Sequence, residues 1–184
     1  MELEKLIQVV LTTDKHAYEE IIKHYYSLIY HYVYQQVGDV EVSRELCQDI
    51  FFEAYRSLKR YNAKKSSFQT WLYKIANYRC IDYLRSKDYR QQVFNGEDEL
   101  KVLSEPTDDA LTRLLKEEKA QKINHLMRTC LKDKHERVMR YYFYADLSPK
   151  EIATLEKTSV KTIYTIIKRS LDKLRIELGG KDDE

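Results

Sequence analysis

The residues best suited to chemistry in this chain are cations and aromatic rings rather than nucleophiles or metal ligands. Towards the C-terminus Lys161, Thr162, Tyr164, Thr165, Lys168 and Arg169 fall within a single short segment. They offer hydrogen-bond donors and a flat ring, the groups that read base edges and hold phosphates in a DNA major groove. Earlier, Arg60, Tyr61, Asn62, Lys64, Lys65, Trp71, Lys74, Asn77 and Tyr78 interleave charge, amides and rings. That mixture suits single-stranded nucleic acid, because unpaired bases stack on rings while cations follow the phosphates. Plainer readings exist for both groups. A solvated helix face is also rich in Lys, and in a chain with 16 Tyr most rings belong to a core, Trp71 first among them.

Bond-making chemistry finds no comparable support. His16, His24, His31, His125 and His135 form no HExxH or other ligand spacing, and no nucleophile motif or P-loop is present. Cys47, Cys80 and Cys130 are odd in number, far apart and outside any CxxC pattern. They therefore suggest reduced thiols in a cytoplasm rather than zinc or a disulfide framework. The expectation is a protein that is no enzyme and needs no metal or cofactor.

The overall charge of +2 conceals a pattern. Residues 1–53 carry 4 basic and 10 acidic side chains, whereas residues 54–90 carry 10 basic and 2 acidic. Residues 95–118 return to acid, with 3 basic against 8, and residues 131–178 are basic again, with 11 against 7. Two basic blocks separated by an acidic one point to a polyanion touched at two places.

These side chains must be positioned by helices. Only 4 Gly and 2 Pro occur, which disfavours a turn-rich β fold. Ile21, Ile22, Tyr25, Leu28, Ile29, Tyr32 and Val33 form one helical stripe. Val42, Leu46, Ile50, Phe51, Ala54, Tyr55 and Leu58 form a second, after a break at Gly38-Asp39. A third helix is predicted from about Ser67 to Arg85, with Phe68, Leu72, Ile75 and Ala76 inward and Lys74, Tyr78, Ile81 and Arg85 elsewhere. Periodicity then fails until Leu111, Leu114, Leu115, Ile123, Leu126 and Met127.

Leu147 to Leu155 carries the strongest local signal. Ser148 and Glu151 make an S-x-x-E capping box, and Pro149 sits at the first helical position. After Glu156-Lys157-Thr158, Ser159 can cap a second helix with Val160, Ile163, Ile167, Leu171 and Leu174 inward. Two short helices with a tight turn, the second longer and basic, are the geometry of a helix-turn-helix. No apolar run approaches the ~20 residues of a membrane span, and the N-terminus has no signal-peptide pattern. The expected fold is all-α. Two small helical domains, 1–90 and 110–178, are joined by a flexible acidic linker over 91–109, with a disordered tail over 179–184.

Three ordered segments resemble the extracytoplasmic-function family of bacterial RNA polymerase sigma factors. They are Glu45-Leu46-Cys47-Gln48-Asp49-Ile50-Phe51 with Ala54-Tyr55 and Tyr61, then Phe68 to Asn77 continuing to Arg85, then Leu147 to Ile163 with Leu171 and Leu174-Arg175. The resemblance spans roughly residues 15–178. It implies that Asp49, with Gln48, Phe52, Glu45 and Glu53, docks on a coiled coil of the largest subunit of core RNA polymerase. It implies that Arg60 to Tyr78 melt and read the −10 element, and that Lys161 to Arg169 read the −35 element. Lys161 stands where many relatives have Gly, and Tyr164, Thr165 and Ile166 where many have basic residues or serine, so the promoter sequence stays open. Further implied partners are the polymerase flap, duplex and melted promoter DNA, and an anti-sigma factor that can hold the protein at a membrane. The linker, with Glu97, Asp98 and Glu99, would thread towards the polymerase active centre in the manner of RNA. A stand-alone helix-turn-helix regulator would leave the Gln48-Asp49 and Trp71 segments idle. A helical protein-binding adaptor would leave the basic blocks unused.

Overall fold

A computed structural model describes residues 3–86 and 121–179. The expected linker, its neighbouring residues and residues 180–184 lie outside the described residues. All regular elements among the described residues are helical, as the scarcity of Gly and Pro implies. They are α1 (Leu3–Thr12), α2 (Tyr18–Val37), α3 (Val40–Ser57), α4 (Phe68–Arg85), a helical segment α5 over 121–130, α6 (Asp133–Tyr144), α7 (Pro149–Leu155) and α8 (Val160–Glu177).

The helix boundaries follow from their capping residues. Gly38 closes α2 at φ 76°, a left-handed conformation that a side chain would strain. Asp39 then accepts the Val42 amide at 2.9 Å to open α3. Ser67 caps α4 through the Thr70 amide at 3.1 Å. At α7 the reciprocal capping box is complete: Ser148 Oγ accepts from the Glu151 amide, and Glu151 accepts from the Ser148 amide at 2.9 Å. Its hydrogen bonds to Ser148 hold the Glu151 carboxyl below its ordinary value. Ser159 starts α8 in the same way, accepting from Thr162 at 3.0 Å.

The first four helices bury Ile21, Ile29, Val33, Ile50, Ala54 and Leu72, and the last three bury Val138, Met139, Ile152 and Ile163. Two expectations need correction. Leu171 is exposed, and Ile166 and Ser170 are the buried neighbours on α8. Ile81 is buried rather than outward, together with Asn77 and Cys80. The second correction has one cause. The N- and C-terminal helices pack on each other, so α4 is covered on two faces: α2 and α3 on one, α6 and α7 on the other.

Polar groups make up much of this joint. Arg140 and Glu136 on α6 are both fully buried, and Arg140 Nη2 lies 3.0 Å from Glu136. Arg140 also donates to Gln36 Oε1 on α2 at 2.9 Å and to Asn124 Oδ1 on α5 at 3.1 Å. Arg85 of α4 reaches Glu136 at 2.6 Å and Asp133 at 3.1 Å. Two arginines thus meet two carboxylates, and the buried charge is neutralised.

Candidate polymerase and promoter interfaces

Along α3 the residues facing away from the core form one surface. Glu45, Gln48, Asp49 and Phe52 are exposed, and Phe52 keeps 61% of its surface in water with Arg56 stacked 5.8 Å from its ring. Glu53 is only half-buried and lies 3.8 Å from Arg79 of α4. Beside Phe52 runs a mostly apolar groove of about 490 Å³, lined by Ile22 and Tyr26 of α2 as well as Gln48, Phe51 and Tyr55. An exposed acid beside an apolar groove suits a protein helix better than it suits DNA. The α2 contribution was missed from sequence, because Ile22 read there as an ordinary member of a core stripe and Tyr26 fell outside that stripe.

Between α3 and α4 the chain makes one 3₁₀ turn, Leu58–Arg60, and then a polar loop. Asn62 Oδ1 accepts the Lys64 amide at 2.9 Å, a side-chain turn that displays Asn62, Lys64 and Lys65 at the surface. Tyr61 is half-buried, its ring 5.2 Å from Phe68 and 5.4 Å from Trp71. Trp71 is therefore partly a packing residue, in line with the plainer reading of the rings in this segment.

The loop forms one wall of a cleft of about 670 Å³, and α1 forms the other. Glu4, Lys5 and Gln8 face Lys59, Tyr61, Asn62 and Lys64 across it, over an apolar floor of Ile7, Leu11 and Leu58. This space is ample for a nucleobase, with amides for its edge and lysines for its phosphates. Gln8 and Lys5 are functional candidates that sequence reading missed. Leu3, Leu6, Ile7, Val10 and Leu11 repeat at helical spacing and could have revealed α1.

The expected residues of α4 behave differently. Lys74 is half-buried, and Asn77 is fully buried, donating its amide to the Arg137 carbonyl at 3.2 Å. Tyr78 is exposed on one side, while the Arg137 guanidinium lies 5.7 Å from its ring centre. Arg60 is exposed beside the loop. The structure thus brings Arg60, Tyr61, Asn62, Lys64 and Lys65 to one cleft region and sets Asn77 and Tyr78 against the C-terminal helices.

On α8 all six expected residues, Lys161, Thr162, Tyr164, Thr165, Lys168 and Arg169, are exposed, and Tyr164 retains 61% of its surface. The turn before it places Lys157 at φ 50° and closes α7 through Thr158, whose amide donates to Ala153 at 3.0 Å. Thr165 Oγ1 donates to the Lys161 carbonyl, which leaves its lone pairs and methyl outward-facing groups for a base edge. Behind α8, Leu171, Leu174 and Leu178 line a second apolar groove of about 500 Å³ with Ile123, Leu126 and Phe143.

The cysteines are packing residues in this arrangement. Burial pushes the thiols of Cys47 and Cys80 up to about 12, which leaves them protonated and inert at neutral pH. Among the described residues no group of His, Cys, Asp and Glu could hold a metal ion, and no helix is long and apolar enough to cross a membrane.

Comparison with known proteins adds an independent observation. The family described as Sigma-70 region 2 matches residues 21–90, and Sigma-70, region 4 matches residues 129–175. Among curated proteins, the chain is 29% identical to ECF RNA polymerase sigma factor SigW of Bacillus subtilis, over 97% of each. It is 28% identical to RNA polymerase sigma factor YlaC of the same organism, over 90% of this chain and 94% of that one. Among solved structures its fold is similar to CnrH in a complex with the cytosolic domain of CnrY. The TM-score is 0.62 at 16% identity, over 96% of this chain and 97% of that one. It is also similar to the sigma factor RpoE bound to the anti-sigma factor NepR from Bartonella quintana. There the TM-score is 0.54 at 14% identity, over 90% and 98%.

Proposed function

The chain belongs to the extracytoplasmic-function family of bacterial RNA polymerase sigma factors, and from that premise we propose how its surfaces divide the work of promoter-specific initiation. Residues 1–90 dock on core polymerase and read and melt the −10 element. Residues 110–178 read the −35 element, and the acidic stretch 91–109 joins the two.

Asp49, with Gln48, Phe52, Glu45 and Glu53, meets a helical coiled coil of the largest subunit. Phe52 and the groove beside it supply apolar contact, and the carboxylates supply charge complementarity. The leucine-lined groove behind α8 accepts the polymerase flap. Lys161, Thr162, Tyr164, Thr165, Lys168 and Arg169 enter the major groove at −35. At −10, the cleft between α1 and the 58–64 turn takes a base flipped from the duplex. Asn62 and Gln8 meet its edge, while Arg60, Lys5, Lys64 and Lys65 hold the displaced strand. Trp71, Lys74, Asn77 and Tyr78 extend that path along α4.

Strand separation in this scheme is driven by binding energy: a flipped base costs a few kcal/mol, which stacking and phosphate contacts offset. The protein therefore acts without catalysing a reaction itself, in the cytoplasm where polymerase works. The solved relatives were captured with CnrY and NepR, which supports a protein inhibitor of the anti-sigma kind for this chain too.

The observation that carries the reading is the pairing of an acidic, partly apolar α3 face with a base-sized cleft rimmed by lysines and amides in the same module. A helix-turn-helix regulator has no use for either. The test is gel filtration of purified core polymerase with the full chain. The wild type should co-elute with core and Asp49→Arg should elute alone; failure of the wild type to co-elute would reject the reading.

A further inference from the structure

We propose that the start of α6 and the far end of α8 form a sequence-independent DNA contact, in which Lys132, Lys134, Arg169 and Lys173 hold two backbone phosphates beside the groove that α8 reads. The proposal rests on the DNA-reading role of α8. It goes beyond that role by bringing α6, which lies outside the helix-turn-helix, into the contact.

Hydrogen bonds between the two helices assemble the cluster. Ser170 of α8 lies 3.3 Å from Nδ1 of His135 on α6. The Lys173 amine donates to the carbonyl of Cys130, just before α6. Arg169 adjoins Ser170 in the chain, and Lys132 and Lys134 flank Asp133, the first residue of α6. Four cations from two segments are thereby gathered round one imidazole. Burial first, and then Lys132, Arg169, Lys134 and Lys173, hold that imidazole below its ordinary value.

The charge is available to a ligand. Lys132, Arg169 and Lys173 are exposed and Lys134 is half-buried, and among the described residues none of the four is paired with a carboxylate. Two exposed acids neighbour them in sequence. Asp133 turns its carboxylate to Arg85 at 3.1 Å, and Asp172 lies about a quarter-turn round α8 from Lys173. Lys173 spends one of its three amine donors on Cys130 and keeps two for an anion. Like charges held together repel one another, and a polyanion relieves that repulsion.

The geometry of α8 sets what the cluster can touch. Arg169 and Lys173 follow Thr162 by about two and three turns, so the three share one edge of the helix. From Thr162 to Lys173 that edge runs roughly 16 Å, against a major groove about 12 Å wide. A helix that reads base edges with its N-terminal residues, here Lys161 and Thr162, carries Lys173 and the start of α6 past the groove, over the backbone. Cations placed there meet phosphates, which fix position and carry no sequence information.

The test uses the full chain alone and a fluorescein-labelled duplex of mixed sequence, with affinity read by fluorescence anisotropy from about 50 to about 200 mM chloride salt. Loss of two phosphate contacts lowers the salt slope by about 2. Over that range the wild type should therefore lose about tenfold more affinity than Lys132→Gln with Lys173→Gln. Lys173→Arg, which keeps the charge, should retain the wild-type slope. So should Lys23→Gln with Lys122→Gln, an equal loss of charge outside the cluster. Circular dichroism confirms that each variant retains its helices. A wild type that does not bind at the lowest salt would overturn the proposal, and so would equal slopes for wild type and the Lys132, Lys173 variant. An equal drop in the control pair would also overturn it, by reducing the effect to net charge. If inorganic phosphate replacing chloride at constant ionic strength erased the difference, the site would be one for free phosphate and the duplex contact would fall. Run-off transcription with core polymerase separates the two levels: a steeper wild-type slope in a protein that never initiates contradicts the sigma reading and leaves the phosphate contact standing.

Discussion

The two surfaces proposed to face DNA are made in opposite ways. On α8 six side chains stand on one convex helix, and their presentation depends on that helix being capped by Ser159 and seated through Ile163, Ile166 and Ile167. At the −10 side no single element is sufficient. The cleft needs α1, the turn after Leu58 and the rings of Tyr61, Phe68 and Trp71, and the α4 residues beyond it are covered by another module. Duplex reading needs a row that fits a groove, whereas capturing an unpaired base needs an enclosure. A row is a local property of sequence; an enclosure is assembled from segments far apart in the chain.

The sharpest way to break this contrast is to disturb the joint. Arg140→Ala leaves Glu136 buried with only Arg85 as its cation and should cost about 3–5 kcal/mol in chemical denaturation. Lys161→Ala with Tyr164→Ala should leave the denaturation curve unchanged. Equal losses for both would show that α8 is less independent than its exposure implies.

The next effect separates the sites by function. Replacing Tyr164 and Lys161 should weaken polymerase-dependent binding to −35 duplex by about 1–3 kcal/mol while leaving permanganate reactivity of already melted DNA in place. Tyr61→Ala with Gln8→Ala should do the reverse, reducing the melted fraction by a similar amount with duplex contacts retained.

Smaller again is the capping box. Ser148→Ala should lower stability by about 1 kcal/mol and shorten the protection of α7 amides against hydrogen exchange, leaving α1 to α4 unaffected.

The smallest effect is one of pH. Burial and then the nearby Lys132, Arg169, Lys134 and Lys173 hold the His135 imidazole below its ordinary value, and Ser170 lies 3.3 Å from its Nδ1. The folded form therefore stays neutral where the unfolded chain takes a proton near pH ~6.5. Its contribution is present above that pH and is lost as pH falls towards the folded value. A shallow fall in melting temperature between neutral and mildly acid pH should flatten in His135→Gln.

Much of the fold was legible because it is written in short spacings. The Gly38-Asp39 break, the Ser67 cap and the Ser148 to Glu151 box each fix a helix end through neighbours three or four residues away. The residues of α8 were legible for the same reason. Asn77 and Ile81 were not, because their burial comes from α6 and α7, which follow them by more than fifty residues. Leu171 was misplaced by a local drift in helical phase: Ile166 and Ser170 turn inward in its stead. Gln8 and Lys5 escaped notice because α1 was not recognised, although its apolar spacing was present. Glu97, Asp98 and Glu99 lie outside the described residues, and the path towards the polymerase active centre that the resemblance implies for them rests on charge alone.

The most direct test of the central claim is run-off transcription from fragmented host genome with purified core polymerase. The account predicts discrete transcripts that require this protein, disappear with Asp49→Arg, and share −35 and −10 sequences upstream of their starts. A wild-type protein that yields no transcript above core alone would contradict it.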